Sequence, residues 1–442
     1  DWSRGRLLYT ALALKGATYT GREDLAEFVH GEPMPITDLE VGPDGNMYLT
    51  TGGGAGQGGL YKVSWTGGKP AMPDMTGILA VVRQPQPLSS WGWEAIEKVK
   101  ASMGAGFGAE LDKLARSGSA ATRDRVRAIL EMQRHGTPPS AGSLEALLKD
   151  RALEVRAAAV YVAGLQQGAA AKGVASAALK DAAPLVQRRA AEALLRQGLT
   201  AARPSFAPVA DIYGLLKSPD RYVRYAGRLA LEHTPRNEWS KLVMAETNLV
   251  ALTEGLLALA NTADEAQARS ELRPVFEKLV TLMQRTSLTP DEKIRVLRTF
   301  EVAASQVPEG VDPEIKKQVQ AALIGQLPSA APAGTWVGCT NGTAPAAQCS
   351  SYMLAHHLAK VLAYTGDAAA IPKILAIMPK GDDDQPGQID LMYSLRAIDA
   401  GWTTAQKQQA IDWFARASKW RGGSTFSGHV NNIFDATIDA FT

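Results

Sequence analysis

The chain has 442 residues and carries 47 Lys and Arg against 45 Asp and Glu, a formal net charge of +2. That balance argues against a dedicated nucleic-acid binder, which shows a basic face or stripe, and 45% hydrophobic with 21% charged residues excludes a disordered chain. No apolar run is long enough to span a bilayer, and the two cysteines, Cys339 and Cys349, exclude a disulfide-dense scaffold or a four-cysteine metal cluster.

The chain starts at Asp1 without a basic-then-apolar leader, so the expectation is a processed or truncated piece of a larger protein. Residues 1–65 read as β structure. Apolar runs lie at Leu7–Leu14, Glu27–His30, Ile36–Val41, Met47–Thr51 and Gly59–Trp65. Gly42-Pro43-Asp44-Gly45 between two of them is a turn, with Pro presetting φ and Asp-Gly supplying positive φ. About five strands at this spacing suit one propeller blade and a fraction. Such a piece leaves a face and two edges unprotected, so it must dock on the rest of the chain, on a partner or on further blades. The glycine-rich Gly52–Gly59 lacks the Lys-Ser/Thr of a phosphate loop and reads as a hairpin tip.

Residues 66–90 form a Gly/Pro-rich linker, and 91–327 turn helical and alanine-rich. A repeat stands out. Asp150 is followed by Val155 and Arg156, Asp181 by Val186 and Arg188, and Ser218-Pro219-Asp220 by Val223 and Arg224. The spacing suits two-helix HEAT-like repeats. In this reading the Asp caps the second helix, Val and Ala pack between stacked helices, and Arg reaches along the stack to a neighbour. Further helices are predicted at Glu246–Leu259, Glu265–Arg285, Asp291–Ser305 and Asp312–Gln326, with Pro290 and Pro313 in first turns. An Ala/Pro-rich linker at 328–351 holds both cysteines. Residues 352–442 resume as helices at Tyr352–Thr365, Ile371–Met378, Gln388–Ala400, Thr404–Ser418 and Val430–Phe441. The fold class is therefore mainly α: a HEAT-like α-solenoid preceded by a small antiparallel β segment resembling a propeller blade.

Chemical constellations are sparse. Cys339 and Cys349 lie too far apart for a redox or haem-attachment motif. A local disulfide in an oxidising compartment is one reading, two free thiols in a reducing one the other. His356 and His357 diverge on a helix and cannot easily share a metal ion. His135 and His233 fall near helix C-termini, which favour positive charge, and neither they nor His30 and His429 lie near a nucleophile motif. Asp382-Asp383-Asp384 lacks the spaced ligands of a calcium loop and reads as a solvated turn. Gly104–Gly108 has no strand before it, which sets aside a dinucleotide fingerprint.

Several motifs together resemble one family. Asp1-Trp2-Ser3, Gly5-Arg6, Gly16–Gly21, Pro35–Asp38, Gly42–Gly45 with Met47-Tyr48, and Gly59–Val63 resemble the closing blade of its propeller. Ser218–Ala226 with Ala230–His233, and Gly401–Thr403, Trp413-Phe414 and Arg421–Gly428, resemble its helical region. These are large secreted proteins of planctomycetes, acidobacteria and relatives. In them a propeller similar to PQQ-dependent glucose/sorbosone dehydrogenases precedes HEAT-like helices and, commonly, a c-type cytochrome domain.

The resemblance implies that PQQ, calcium and haem c belong to family parts this sequence does not contain. It carries no catalytic, cofactor-binding or metal residue onto any position here, and no cofactor is expected in this chain. The expected function is a non-catalytic periplasmic or extracytoplasmic scaffold without a transmembrane segment. It would dock through its solenoid on a protein partner, a membrane-bound redox complex carrying a c-type cytochrome, such as a photosynthetic reaction centre or an oxidase. The alternative is the C-terminal part of a PQQ-dependent sugar or alcohol dehydrogenase. A carbohydrate-binding surface protein is a third, weaker reading, allowed by scattered Trp residues.

Overall fold

Turn residues cut the first 63 positions into seven short strands: β1 (Arg6–Tyr9), β2 (Leu12–Lys15), β3 (Thr18–Gly21), β4 (Ala26–His30), β5 (Ile36–Val41), β6 (Met47–Gly53) and β7 (Gly56–Val63). The computed structural model describes residues 1–442 except Ser3, Glu23, Asp24, Pro33, Gly54, Ala55, 69–72, 200–208, Ser424 and Thr442.

The run Leu7–Leu14, expected as one strand, is divided. β1 pairs β4 and β2 pairs β3, both antiparallel, as two nested two-stranded ladders; together they make a ribbon with its tip at Gly16-Ala17. Between the pairs Tyr9↔Ala26 and Leu12↔Gly21 one side has Thr10 and Ala11, while the other has residues 22–25. Unequal lengths cannot stay in register, so the two ladders are separate. β5, β6 and β7 form a three-stranded meander, where a propeller blade has four strands. Its first turn is held by Asp44, which accepts from Asn46 Nδ2 at 2.7 Å and Tyr48 Oη at 2.8 Å, beside Gly45 at φ 76°. The Asn46 side chain, then Tyr48, hold the Asp44 carboxyl below the usual carboxylate range.

The rest is helical, and the chain as a whole divides into two compact units, Asp1–Trp239 and Ser240–Thr442. The division falls inside the stretch 91–327, and the β segment belongs to the same unit as the first repeats. In unit 1 four helix pairs follow one another: Phe107–Ala115 with Thr122–Arg134, Ala141–Leu147 with Leu153–Ala163, Ala169–Ala178 with Pro184–Leu199, and Val209–Gly214 with Arg221–Glu232. The second helices pack on one another in sequence order, as stacked two-helix repeats do. Val155, Val186 and Val223 are fully buried at the third position of their helices. Each such burial is worth about 1.5–3 kcal/mol. Stacking is close: a Cβ on Gly164 would stand 2.7 Å from Ala193 Cα.

The linker 66–90 is structured in part. Ile78–Val82 is a helix, and its Val81 and Val82 join the core cluster of Ile96, Phe107 and Ile129. The run Ile-Leu-Ala-Val-Val is too apolar to remain outside a core.

Unit 2 repeats the stacking, with Leu249–Asn261, Pro290–Ser305, Ala346–Thr365 and Gln385–Leu395 packed in succession. Thr289 and Glu292 cap the second of these reciprocally, with Pro290 as its first residue. The linker 328–351 also contains helix, at Trp336–Thr340 and from Ala346 onward. No helix among the described residues is long and apolar enough to cross a membrane.

Candidate interaction surfaces

The repeat residues form a ladder along unit 1, built on the fourth position of each second helix. That position is Arg125 in Thr122–Arg134 and Arg156 in Leu153–Ala163. Arg125 pairs with Asp150 through both terminal guanidinium nitrogens, and its Nε donates to Ala115 O at 3.0 Å. Arg156 grips Asp181 bidentately, Nε to Oδ2 at 2.7 Å and Nη2 to Oδ1 at 2.9 Å. Its Nη1 donates to Asp150 O at 2.9 Å, which ties this rung to the one before.

Asp150 and Asp181 sit two residues ahead of their expected cap positions. Oδ1 of each accepts the N–H two residues on, from Ala152 and Ala183, both at 2.8 Å. Only Asp220 is itself an N-cap, accepting from Tyr222 N at 2.8 Å and Val223 N at 3.3 Å. Burial pushes the Asp150 and Asp181 carboxyls up. The bonds from Arg125 and Arg156 and from the backbone amides outweigh it and hold both below the usual range.

The third rung is different. The fourth position of Pro184–Leu199 is Gln187, and the expected repeat arginine, Arg188, lies one residue beyond it. The ribbon tip fills the gap. Ala17 is fully buried, its N–H donates to Asp220 Oδ2 at 2.7 Å, and its carbonyl accepts from Arg188 Nη1 at 3.1 Å. Gly16 makes this possible with φ 59°, and a Cβ there would stand 2.2 Å from Asp220 Oδ2. The Arg188 and Arg221 guanidinium groups both lie over the Tyr222 ring, and the hydrogen bond from Arg221 pulls the Tyr222 phenol below its ordinary range. Arg224, at the fourth position of its own helix, donates to Ser218 O and Pro219 O at 2.9 and 3.0 Å. A second tie holds the meander, Trp91 Nε1 to Val41 O at 3.2 Å. In the sequence Gly16 and Ala17 stand out only as part of the blade-like motif Gly16–Gly21, and nothing local marks Ala17 as a docking residue.

Leu49 and Met34 are buried, but beyond these many large apolar side chains of the β segment face outward. Trp65 is 77% exposed, Leu60 71% and Tyr9 62%, and Leu12, Tyr19, Leu25 and Phe28 are exposed as well. In the ribbon, Leu12, Leu14 and Tyr19 share one face by register. The outer edges of β5 and β7 carry no strand partner among the described residues.

In unit 2, Cys339 and Cys349 are joined in a disulfide. Asp382–Asp384 is more than a solvated turn. Asp382 accepts from Trp420 Nε1 at 2.7 Å, and Asp384, at φ 47°, accepts from Trp336 N at 2.9 Å and from Tyr352 Oη. Burial, then Asp384, push the Tyr352 phenol up. Buried Gln388 binds the carbonyls of Gly381 and Asp383 and accepts from Trp413 Nε1 at 2.8 Å, so the acidic turn is pinned from below. The adjacent histidines part as expected, His356 to Asp390 and His357 to Glu301, each at 2.7 Å. Buried His135 caps its helix beside Glu97, at 2.6 Å. Among the described residues no group of three His, Cys, Asp or Glu is placed to hold a metal ion.

Stacked helix pairs interlocked by Arg–Asp rungs define a HEAT-like helical-repeat protein. No protein-family model and no curated protein matches the chain. Among solved structures it is similar to importin beta in an ammonium sulfate condition, at 11% identity and TM-score 0.49, over 82% of this chain and 56% of that one. It is also similar to Kap95p in a structure describing its binding to RanGDP, at 12% identity and TM-score 0.48, over 81% and 50%. A Kap121p mutant follows at 14% and 0.46, over 83% and 40%. The chain thus spans about half the length of these structures.

Proposed function

We propose that this chain is a non-catalytic extracytoplasmic interaction subunit that docks on another protein. The outward display of Trp65, Leu60, Tyr9 and Phe28 on the β segment carries the reading. Large apolar residues exposed on small open-edged sheets favour a contact surface. The β segment is tied to the helical repeats through Ala17 and Trp91, so a partner held there lies beside the extended solenoid surface. The Cys339–Cys349 disulfide supports an oxidising, periplasmic or extracytoplasmic compartment. The family resemblance supports a partner of one kind, a membrane-bound redox complex with a c-type cytochrome on its periplasmic side, such as a photosynthetic reaction centre or an oxidase. Cross-linking in native membranes tests this: residues 1–65 should link to a haem-carrying complex. A chain that purifies alone, with no redox subunit recovered, overturns it.

The open outer edges of β5 and β7 also favour a second reading, in which further propeller strands pair there. The chain is then part of a PQQ-dependent sugar or alcohol dehydrogenase. The full gene product would show dye-linked dehydrogenase activity on addition of PQQ and calcium, and none if this reading is wrong.

A further inference from the structure

Unit 2 carries a cleft of about 700 Å³ that the docking reading does not use. Two helices wall it. Gln385–Leu395 and its C-cap present Ile389, Asp390, Tyr393 and Arg396 at helical spacing, and Phe426–Asp439 presents Phe426, His429, Asn432 and Ile433. Trp336, held by Asp384, stands at one end. A smaller cleft of about 240 Å³, lined by Lys360 and Tyr364, lies across a shared ridge of Tyr393 and Arg396.

The polar groups of the larger cleft are mostly unspent. Among the described residues, the side chains of His429 and Asn432 and the Tyr393 hydroxyl make no hydrogen bond. Arg396 forms no ion pair; its guanidinium stacks 3.9 Å from the centre of the Tyr393 ring, which leaves its N–H edge free. The one carboxylate, Asp390, is engaged by His356 Nδ1. The His356 ring lies 4.4 Å from that of Tyr352 and 5.6 Å from that of Trp336, so the acid is fixed in place. The result is one cation without an ion pair, stacked on an aromatic ring, with three further side chains able to donate or accept.

We propose that this cleft binds an acidic oligosaccharide. A uronate carboxylate would take the free edge of Arg396. Pyranose C–H faces would lie on Trp336, Phe426 and the exposed part of Tyr393, and ring hydroxyls would meet His429, Asn432 and the Tyr393 hydroxyl. The smaller cleft across the ridge, where Lys360 pairs with Glu301 at 3.5 Å, gives a second sugar residue room. An extended acidic peptide fits less well. It needs a row of backbone partners, as a sheet edge supplies, and both walls are helices whose backbone groups bond internally.

The test is calorimetric titration of the purified full chain with trigalacturonate, galactotriose and a blocked tri-glutamate peptide, with thermal melts to establish that each variant folds. Trigalacturonate should bind saturably and more tightly than the other two. Arg396→Gln should weaken it by about tenfold or more while leaving the neutral trisaccharide unchanged. Arg396→Lys should recover part of the loss, and Tyr393→Ala should weaken both sugars. The proposal is overturned if trigalacturonate shows no saturable binding at millimolar concentration, if Arg396→Gln leaves its affinity unchanged, or if the peptide binds as tightly.

Discussion

Ala17 and Asp220, 203 positions apart, are joined by a 2.7 Å hydrogen bond in which a backbone amide occupies the place an arginine takes in the preceding repeats. Arg125 and Arg156 close their rungs on Asp150 and Asp181 directly. At the third rung the equivalent residue, Gln187, carries no charge. The Asp220 carboxylate is left to the ribbon tip, and Arg188 closes the other side on the Ala17 carbonyl. The junction between β segment and helical repeats is thus a modified repeat contact.

Gly16→Ala should release the ribbon. Left-handed φ costs a Cβ-bearing residue about 1–2 kcal/mol, and the clash with Asp220 Oδ2 adds loss of a charge-assisted bond worth about 1.5–3 kcal/mol. Gly45→Ala is the control. Its φ is 76° and its Cβ would meet no atom within 4 Å, so only the backbone cost, about 1–2 kcal/mol, should appear. Thermal melts and protease cleavage within residues 1–30 separate the two; equal effects would show that the Asp220 contact contributes nothing.

Gln187→Arg should restore the regular rung. An arginine at the fourth helix position would compete with Ala17 for Asp220. The expected outcome is faster proteolysis of the ribbon, with the helical melting temperature of unit 1 unchanged or higher. Unaltered ribbon protection would mean that the hairpin outcompetes a full ion pair.

The Arg156–Asp181 rung should dominate its neighbourhood, because both side chains are largely buried, at 16% and 11% exposure. Asp181→Asn keeps the acceptor for Ala183 N but removes the charge, leaving Arg156 uncompensated at a cost of about 3 kcal/mol. The sign with pH follows from the depressed folded-state value of Asp181. Its contribution is fully present above the unfolded carboxylate value of about 3.9 and is lost as pH falls through the lower folded value. The melting-temperature gap between wild type and Asp181→Asn should therefore be constant near neutrality and close below about pH 4. A gap that persists undiminished to pH 2 would exclude the ion pair as its source.

Reduction of Cys339–Cys349, or their joint replacement by Ser, should lower the stability of unit 2 by about 2–3 kcal/mol on the chain-entropy model. The fluorescence of nearby Trp336 should report the loosening. A melting temperature of unit 2 that is unaffected by reductant would show that the cross-link closes a loop already ordered in the unfolded chain.

Local chemistry made much of this protein readable from its sequence. Alternation and turn residues marked the β segment, the recurring Asp, Val and Arg marked the stacked helix pairs, and Pro290 and Pro313 marked helix starts. Those signals act within a few residues, through backbone preference and the facing of side chains, so they are written locally. The runs Ile78–Val82 and Trp336–Thr340 escaped because short helices beside Gly and Pro carry too few turns to show a period.

What only the tertiary structure decided is which distant groups meet. Helical periodicity says that Val186 faces the core, but not that Gln187 instead of Arg188 falls in the arginine position, since that depends on where the helix begins in space. Nor does it say that Ala17 enters the rung it vacates. The cleft that gathers Trp336, Arg396 and Asn432 from three helices arises in the same way. Periodicity fixes the side a residue presents; the stacking of whole elements chooses its neighbour.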